Sequence, residues 1–388
     1  MKEDNCGFKY PFVNHDVCIE CGLCLKVCPE LNEPALNAPK QVYALSNKDK
    51  GIQTTTSSAG FSTVLSTKIV NEGGIVYGCC QENFEIVGHI RIDNIADLNL
   101  IKNSKYVHSD IRDSYRNAKK DLDKRRTVLF TGTPCQIAGL LCYLRKSYSN
   151  LITLDVVCHG VPPMKMLKEQ VRSYSETKNI PAEDIRVSYR WKQQHRFKPI
   201  DIKFGLRTEV RRKGKFKIVK EENDNVNPYM RCFQTGISLR ENCLNCHYAQ
   251  EKRVSDLTAA DFWGIGHEVS SSMIDNYGVT LLLINTDRGL SLFEQIQKNF
   301  DIETHTLNEA KIRNRCLTQP FPRLKERDRF LELYEKEGLY AATFATDPVY
   351  RYESRPIIRL MRSTKYTNLA LRAVNKLLRI TKGLYEKK

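Results

Sequence analysis

Short apolar blocks alternate with stretches in which apolar residues return every three or four positions, which predicts strand–helix units through the middle of the chain. Arg126-Thr-Val-Leu-Phe130 reads as a buried strand, and the helix expected over 137–146 puts Ile137, Leu140, Leu141 and Leu144 on one face. Leu151-Ile-Thr-Leu-Asp-Val-Val157 repeats the strand. Upstream, 37–53 reads as a linker running into a first strand. Residues 54–61 form a small-residue turn opening a helix over 62–71, and Gly73-Gly74 stops it. Strands follow over 75–79 and 85–92, then helical segments to about residue 123. Downstream, alternation over 187–191, 200–204, 208–212 and 216–219 predicts an antiparallel β insertion. Residues 227–236 read as a helix, 257–264 as a closing strand, and 279–285 with 289–298 as a last βα unit.

Charge changes this picture only at one end. The net charge is +16, but residues 351–388 carry eleven Lys/Arg against Glu353 and Glu386, so the body holds about +7. A tail of that kind does not make the chain a nucleic-acid binder, and no nucleic-acid partner is expected. Within the tail, Ala370, Leu371, Val374, Leu377 and Leu378 share one helical face opposite Arg372, Lys376 and Arg379. Residues 366–382 therefore suit an anionic membrane surface or a partner, with packing on the chain's own body as the alternative. No apolar run reaches the length of a membrane span, and no signal-peptide stretch opens the chain. The expected location is the cytoplasm, peripheral at the inner membrane surface if the tail binds lipid.

Fourteen cysteines in such a chain point to metal or redox chemistry rather than disulfides. Cys18-Ile-Glu-Cys21-Gly-Leu-Cys24-Leu-Lys-Val-Cys28-Pro29 has the C-x₂-C-x₂-C-x₃-C-P spacing of bacterial ferredoxins, in which three thiolates close on one [4Fe–4S] cube and the fourth goes to another. Structural zinc would call for two C-x₂-C pairs or Cys/His pairs. Gly22 allows the tight turn, and Pro29 is expected to stop the short helix carrying Cys24 and Cys28. A two-cluster module needs a second run ahead of the short strand at 7–12. We expect a start that cuts this domain; the alternatives are Cys6 or another thiol as substitute, or Cys28 turning back on the same cube.

Further chemistry gathers where strands end. Thr131-Gly132-Thr133-Pro134-Cys135-Gln136 links strand to helix and sets Cys135 at the positive helix end, which should lower its thiol pKa. The next strand ends in Cys158-His159-Gly160, and Cys243-Leu-Asn-Cys246 adds a C-x₂-C. Open α/β sheets bind ligands at that edge. The turn Ser57-Ser58-Ala59-Gly60 could cap a helix or receive a phosphate. His159 is a candidate proton donor or a structural hydrogen-bonder.

Several stretches together resemble the coenzyme F420 hydrogenase/dehydrogenase beta-subunit family: the run at 18–29, Ser57-Ser-Ala-Gly-Phe61, Glu72–Gly78, Ser104-Lys-Tyr-Val-His-Ser109, Val128–Gly139 with Thr133-Pro-Cys-Gln136, Asp155-Val-Val-Cys-His-Gly160, Cys243-x₂-Cys246 and Asp261-Phe-Trp-Gly264. Ala59 stands where many relatives carry a second Gly. The resemblance implies FAD and [4Fe–4S] clusters that exchange electrons with a hydride-carrying substrate; the bacterial chains of this shape look like redox enzymes of surface-polysaccharide gene clusters. On that basis Cys135, Cys158, Cys243 and Cys246 are candidate ligands of a second cluster, the alternative being buried small residues and a lone zinc-like turn. Ser57, Ser58, Gly60, Thr131, Gly132, Thr133 and Gln136 are candidate FAD-binding residues, and Lys105 would neutralise phosphate or reduced flavin unless it is a plain surface charge.

The expected architecture is α+β / α/β. Residues 1–36 form a ferredoxin-like iron–sulfur module, 50–150 and 151–346 the N- and C-terminal regions of the family, with the antiparallel insertion, and 347–388 a basic helical tail. The expected function is an iron–sulfur flavoprotein oxidoreductase passing electrons between a ferredoxin-like donor or redox partner and a small-molecule substrate. A non-catalytic electron-transfer subunit is the rival.

Overall fold

The computed structural model describes residues 1–195, 198–273 and 277–355; the amphipathic stretch at 366–382 lies outside them. At the start, β1 (Lys2–Glu3) pairs antiparallel with β2 (Lys9–Tyr10), and α1 (Leu23–Lys26) follows Gly22 in the left-handed region at φ 66°. This helix is shorter than expected: it carries Cys24, and Cys28 lies beyond its end.

Then come β3 (Gln41–Asn47), α2 (Lys50–Thr55), α3 (Phe61–Asn71), β4 (Ile75–Asn83), β5 (Ile86–Ile92), α4 (Ser114–Asp123), β6 (Val128–Gly132), α5 (Pro134–Leu144), β7 (Leu151–Val156) and α6 (Met164–Lys178). Residues 50–55 are helical rather than linker because Asp49 caps them, accepting from the amides of Gly51 at 2.8 Å and Ile52 at 3.2 Å. After α6 stand β8 (Ile185–His195), β9 (Lys198–Arg212), β10 (Lys215–Asn223), α7 (Pro228–Thr235), α8 (Glu241–Leu244), β11 (Leu257–Asp261), β12 (Thr280–Ile284), α9 (Asp287–Ile296), β13 (Phe300–His305), α10 (Leu307–Lys311), α11 (Arg327–Thr346, broken at Gly338) and α12 (Pro348–Glu353).

One mixed sheet of eight strands organises the body, in the order β13-β3-β12-β11-β7-β6-β4-β5. The inner strands β4, β6, β7 and β11 are mutually parallel, and the flanking pairs are antiparallel. β12 runs against both its neighbours and with α9 makes the last βα unit expected over 279–298. Parallel strands buried on both faces need apolar side chains throughout. Accordingly Val128 and Phe130 face a cluster with Ala118, Leu122, Ile137 and Leu140, while Leu129 faces the opposite one with Phe61, Leu65, Ile152 and Phe293. A further core joins α6, α7 and α11 to Phe8, Phe84 and Val87.

The insertion is a separate sheet of three strands, β10-β9-β8. The two strands expected at 200–204 and 208–212 are one, β9. Gly205 lies within it: a Cβ would stand 2.0 Å from the Glu222 carbonyl oxygen, so glycine admits the close approach of β10.

Candidate functional site: a four-thiol recess at the sheet edge

Because β4, β6, β7 and β11 run the same way, the loops after them open on one edge of the sheet. At the start of α5, Thr133 and Gln136 form a capping box with Pro134 in the first turn, which fixes where Cys135 points. Cys158 follows two residues after β7 ends. Gly160, at φ 120°, brings that loop against α8: a Cβ on it would lie 3.2 Å from the Cβ of Cys243. The Arg240 amide also donates to the Val161 carbonyl at 3.0 Å, and the Cys243 amide to the Arg240 carbonyl at 2.9 Å.

These contacts gather Cys135, Cys158, Cys243 and Cys246 into one recess, where Cys246 acts electrostatically on each of the other three thiols and Cys135 on Cys158 and Cys243. Burial pushes the Cys158 thiol far up, with Cys243, Cys135 and Cys246 adding to it. Burial and then Cys135 push Cys243 up to about 12. The thiol of Cys135 is raised rather than lowered, although one side of the residue reaches solvent: desolvation outweighs the helix end and the Thr133 hydroxyl 3.1 Å away. Thiols crowded this way are poor isolated anions, and a cationic centre between them removes the penalty. Among the described residues no His, Cys, Asp or Glu group is drawn tightly enough for a single metal ion. A four-iron cube spreads its thiolates wider than one ion does, and an all-sulfur donor set suits it.

The N-terminal run differs in setting. Cys18, Cys21 and Cys24 are exposed, and Cys28 is half-buried. The turn after Cys28 packs on α5 and the C-x₂-C loop. The Tyr248 hydroxyl donates to the Pro29 carbonyl at 3.0 Å, His247 stands 3.7 Å from Glu30, and the Cys142 thiol donates to the Asn32 carbonyl at 3.2 Å. Cys142 also lies within electrostatic reach of Cys28, and burial raises its thiol. Sequence reasoning passed over Cys142; the signal was its place two turns beyond Cys135 on the same helix. Cys6 is engaged elsewhere: it is buried, its thiol 3.5 Å from a Glu335 carboxylate oxygen, and burial and Glu335 push it up to about 12.

The flavin candidates fall on two turns joined by residues 101–109. The Ser57 hydroxyl lies 3.2 Å from the Asn103 side-chain oxygen and accepts from the Ser104 amide at 3.2 Å. The Ala59 amide donates to the Thr280 hydroxyl at 3.1 Å. Gly60 caps α3 in the left-handed region with no side-chain cap, so neither serine serves as the cap expected. The hydroxyl oxygen of Ser58 is buried without a hydrogen-bond partner. At the other turn the expected phosphate donors are spent within the protein. The Thr131 hydroxyl donates to the Tyr77 carbonyl at 3.1 Å, the Thr133 amide to the Gln136 side-chain oxygen at 3.0 Å, and the Gln136 side-chain amide to the Ser109 carbonyl at 3.1 Å. Gly132 serves packing, since a Cβ there would lie 3.1 Å from that Gln136 oxygen. Residues 131–136 therefore do not fit a phosphate cradle, whereas the 57–60 turn keeps one unsatisfied group.

Lys105 is no plain surface charge. Its ammonium donates to the Lys102 carbonyl at 2.7 Å, and desolvation lowers its pKa. His159 makes a structural hydrogen bond: its Nε2 lies 2.9 Å from the Phe233 carbonyl, the ring packs against Phe233 and Phe321, and burial lowers its pKa. His89, unnoticed in the sequence, links the turns. Its Nδ1 is 2.8 Å from the Ser109 hydroxyl and its Nε2 2.9 Å from the Thr131 carbonyl, so Nε2 carries the hydrogen. The insertion sheet closes over this region, with Lys192 donating to the Ser58 carbonyl at 2.9 Å and Arg190 paired with Asp261. A cleft of about 810 Å³, lined among others by Lys9, His108, Val161, Lys168 and Arg240, borders the loops of the four-thiol recess.

Residues 125–310 match the family model for the C-terminal part of the coenzyme F420 hydrogenase/dehydrogenase beta subunit, and residues 11–31 match the 4Fe-4S binding domain. Among solved structures, a chain of the F420-reducing [NiFe] hydrogenase complex from Methanosarcina barkeri is similar at 14% identity, over 81% of this chain and 93% of that one, with a TM-score of 0.43. No curated protein matches the chain.

Proposed function

With residues 125–310 belonging to the coenzyme F420 hydrogenase/dehydrogenase beta-subunit family and residues 11–31 to the 4Fe-4S binding domain, we propose that this chain is an iron–sulfur oxidoreductase with two [4Fe–4S] sites. Cys18, Cys21, Cys24 and Cys28 belong to the first, and Cys135, Cys158, Cys243 and Cys246 hold the second. The observation that carries the reading is the convergence of four thiols, from three segments distant in sequence, in one recess beneath the docked Cys28–Asn32 turn. The clusters would supply one-electron transfer. The chain's own part is to keep water from the recess and to hold the N-terminal module against it.

FAD is the second cofactor of the proposal. When bound it would collect two single electrons and exchange them as hydride. Ser58, with its unsatisfied buried hydroxyl, and Lys105, a desolvated cation, are the residues that support it, together with the family resemblance. The substrate is a small molecule, on the resemblance a sugar or polysaccharide precursor, reached through the cleft beside Val161 and Arg240. Electrons come from or go to a redox partner protein.

The internally satisfied groups at 131–136 favour the rival reading, an electron-transfer subunit without its own flavin. Anaerobic purification with iron and sulfide counts, an absorbance spectrum and released-flavin analysis tests both. About eight iron atoms with one flavin per chain is the expected result. Iron without flavin leaves the rival standing, and a colourless chain ends both.

A further inference from the structure

We propose that Arg253 is the positioning residue of the four-thiol site, spanning the C-x₂-C loop and the end of β7 and setting the separation of Cys246 from Cys158. The inference rests on the reading that these thiols hold a [4Fe–4S] cluster. Arg253 is 1% exposed, beneath the recess. One Nη donates to the carbonyls of Tyr248 at 3.3 Å and Gln250 at 3.2 Å, just past Cys246. The other donates to the Val156 carbonyl at 3.2 Å, two residues before Cys158, and lies 3.2 Å from a carboxylate oxygen of Asp155. Its Nε donates to the Thr258 hydroxyl on β11 at 3.2 Å. The Arg253 backbone exchanges two 2.8 Å hydrogen bonds with Asn37, in the stretch leading out of the N-terminal module.

Four acceptors on three segments require a flat fork of donors held in fixed directions, which guanidinium has and ammonium lacks. Arg253 also brings a charge, 1% exposed, to the loop that follows Cys246. A fixed positive charge in a dry site favours the more negative, reduced form of a cluster, and Asp155 opposes it. The pair thus sets both the shape and the potential of the site.

The test uses the full chain purified without oxygen, with Arg253→Lys, Asp155→Asn and the double variant Arg253→Met/Asp155→Asn. Iron and sulfide are counted, and each cluster's EPR line shape and midpoint potential are measured, the N-terminal cluster serving as internal control. Arg253→Lys is expected to lose much of the iron of the recess or to broaden its signal, leaving the N-terminal signal intact. Asp155→Asn, nearly isosteric, is expected to raise the midpoint of the recess cluster, and adding Arg253→Met to lower it again. Opposite shifts of this kind do not arise from loosened packing. Wild-type line shapes and midpoints in Arg253→Lys and Asp155→Asn, with only the melting temperature lowered, would overturn the proposal. Should Arg253→Lys fail to fold by circular dichroism, the midpoint of Asp155→Asn decides alone. Cys243→Ala/Cys246→Ala retaining all iron and both signals would instead remove the cluster on which the inference rests.

Discussion

The two sulfur-rich regions of this molecule share a ligand type and little else. In the N-terminal run Cys18, Cys21 and Cys24 stand in the open, beside apolar neighbours such as Val17 and Ile19 that are 74% and 84% exposed. In the recess, four thiols from three segments are desolvated and brought together by loops at the sheet edge. The run obtains its geometry from local spacing; the recess obtains it from the whole sheet. Solvent exposure and hydrogen bonding tune cluster potentials, so the two sites should differ in potential and in resistance to chemical attack. An exposed cluster suits exchange with another protein, and a sheltered one suits retention of the electron near a substrate.

The sharpest break of this contrast is Cys243→Ala combined with Cys246→Ala. It should remove about half of the cluster iron and leave the N-terminal EPR signal; an unchanged iron count would erase the second region as a metal site. Ferricyanide or chelator should bleach the exposed cluster before the sheltered one, read by the order in which two EPR signals vanish; the reverse order would invert the assignment of shelter.

Stability should divide the regions too. Phe130→Ala, in the closed sheet below the recess, should cost about 3–5 kcal/mol by urea unfolding, whereas Leu25→Ala on the open module should stay within about 0.5 kcal/mol. Burial holds His89 neutral, its pKa lowered to about 4. The unfolded chain takes up that proton near pH 6.5, so stability is intact above that pH and falls between about 6.5 and 4, by roughly 3 kcal/mol at most. His89→Gln should flatten that slope in urea midpoints measured against pH. Smallest, Tyr248→Phe removes the hydroxyl that meets Pro29. It should cost about 1 kcal/mol and slow electron passage between the clusters in stopped-flow reduction.

Much of this was legible along the chain, for reasons that differ by element. The runs at 126–130 and 151–157 read as strands because a parallel strand covered on both faces must be apolar throughout. The run at 18–29 read as a cluster site because three-residue spacing brings thiolates together without help from distant segments. That 200–204 and 208–212 form one strand was not legible, since glycine at 205 fits a break as well as a close strand contact, and only β10 beside it tells which. The turn 131–136 misled. Its hydroxyls and amides look available in sequence, yet Tyr77, Ser109 and its own Gln136 consume them.

By itself, then, the amino-acid order determined what is local: periodicity, caps, and thiols close enough along the backbone to share one centre. Tertiary structure alone decided that Cys135 is raised rather than lowered, that Cys142 comes within electrostatic reach of Cys28, and that Arg253 joins the loops bearing Cys158 and Cys246. Desolvation and hydrogen-bond partnership depend on which segments the fold brings alongside, and Pro29 and Tyr248, so joined, lie 219 residues apart in the chain.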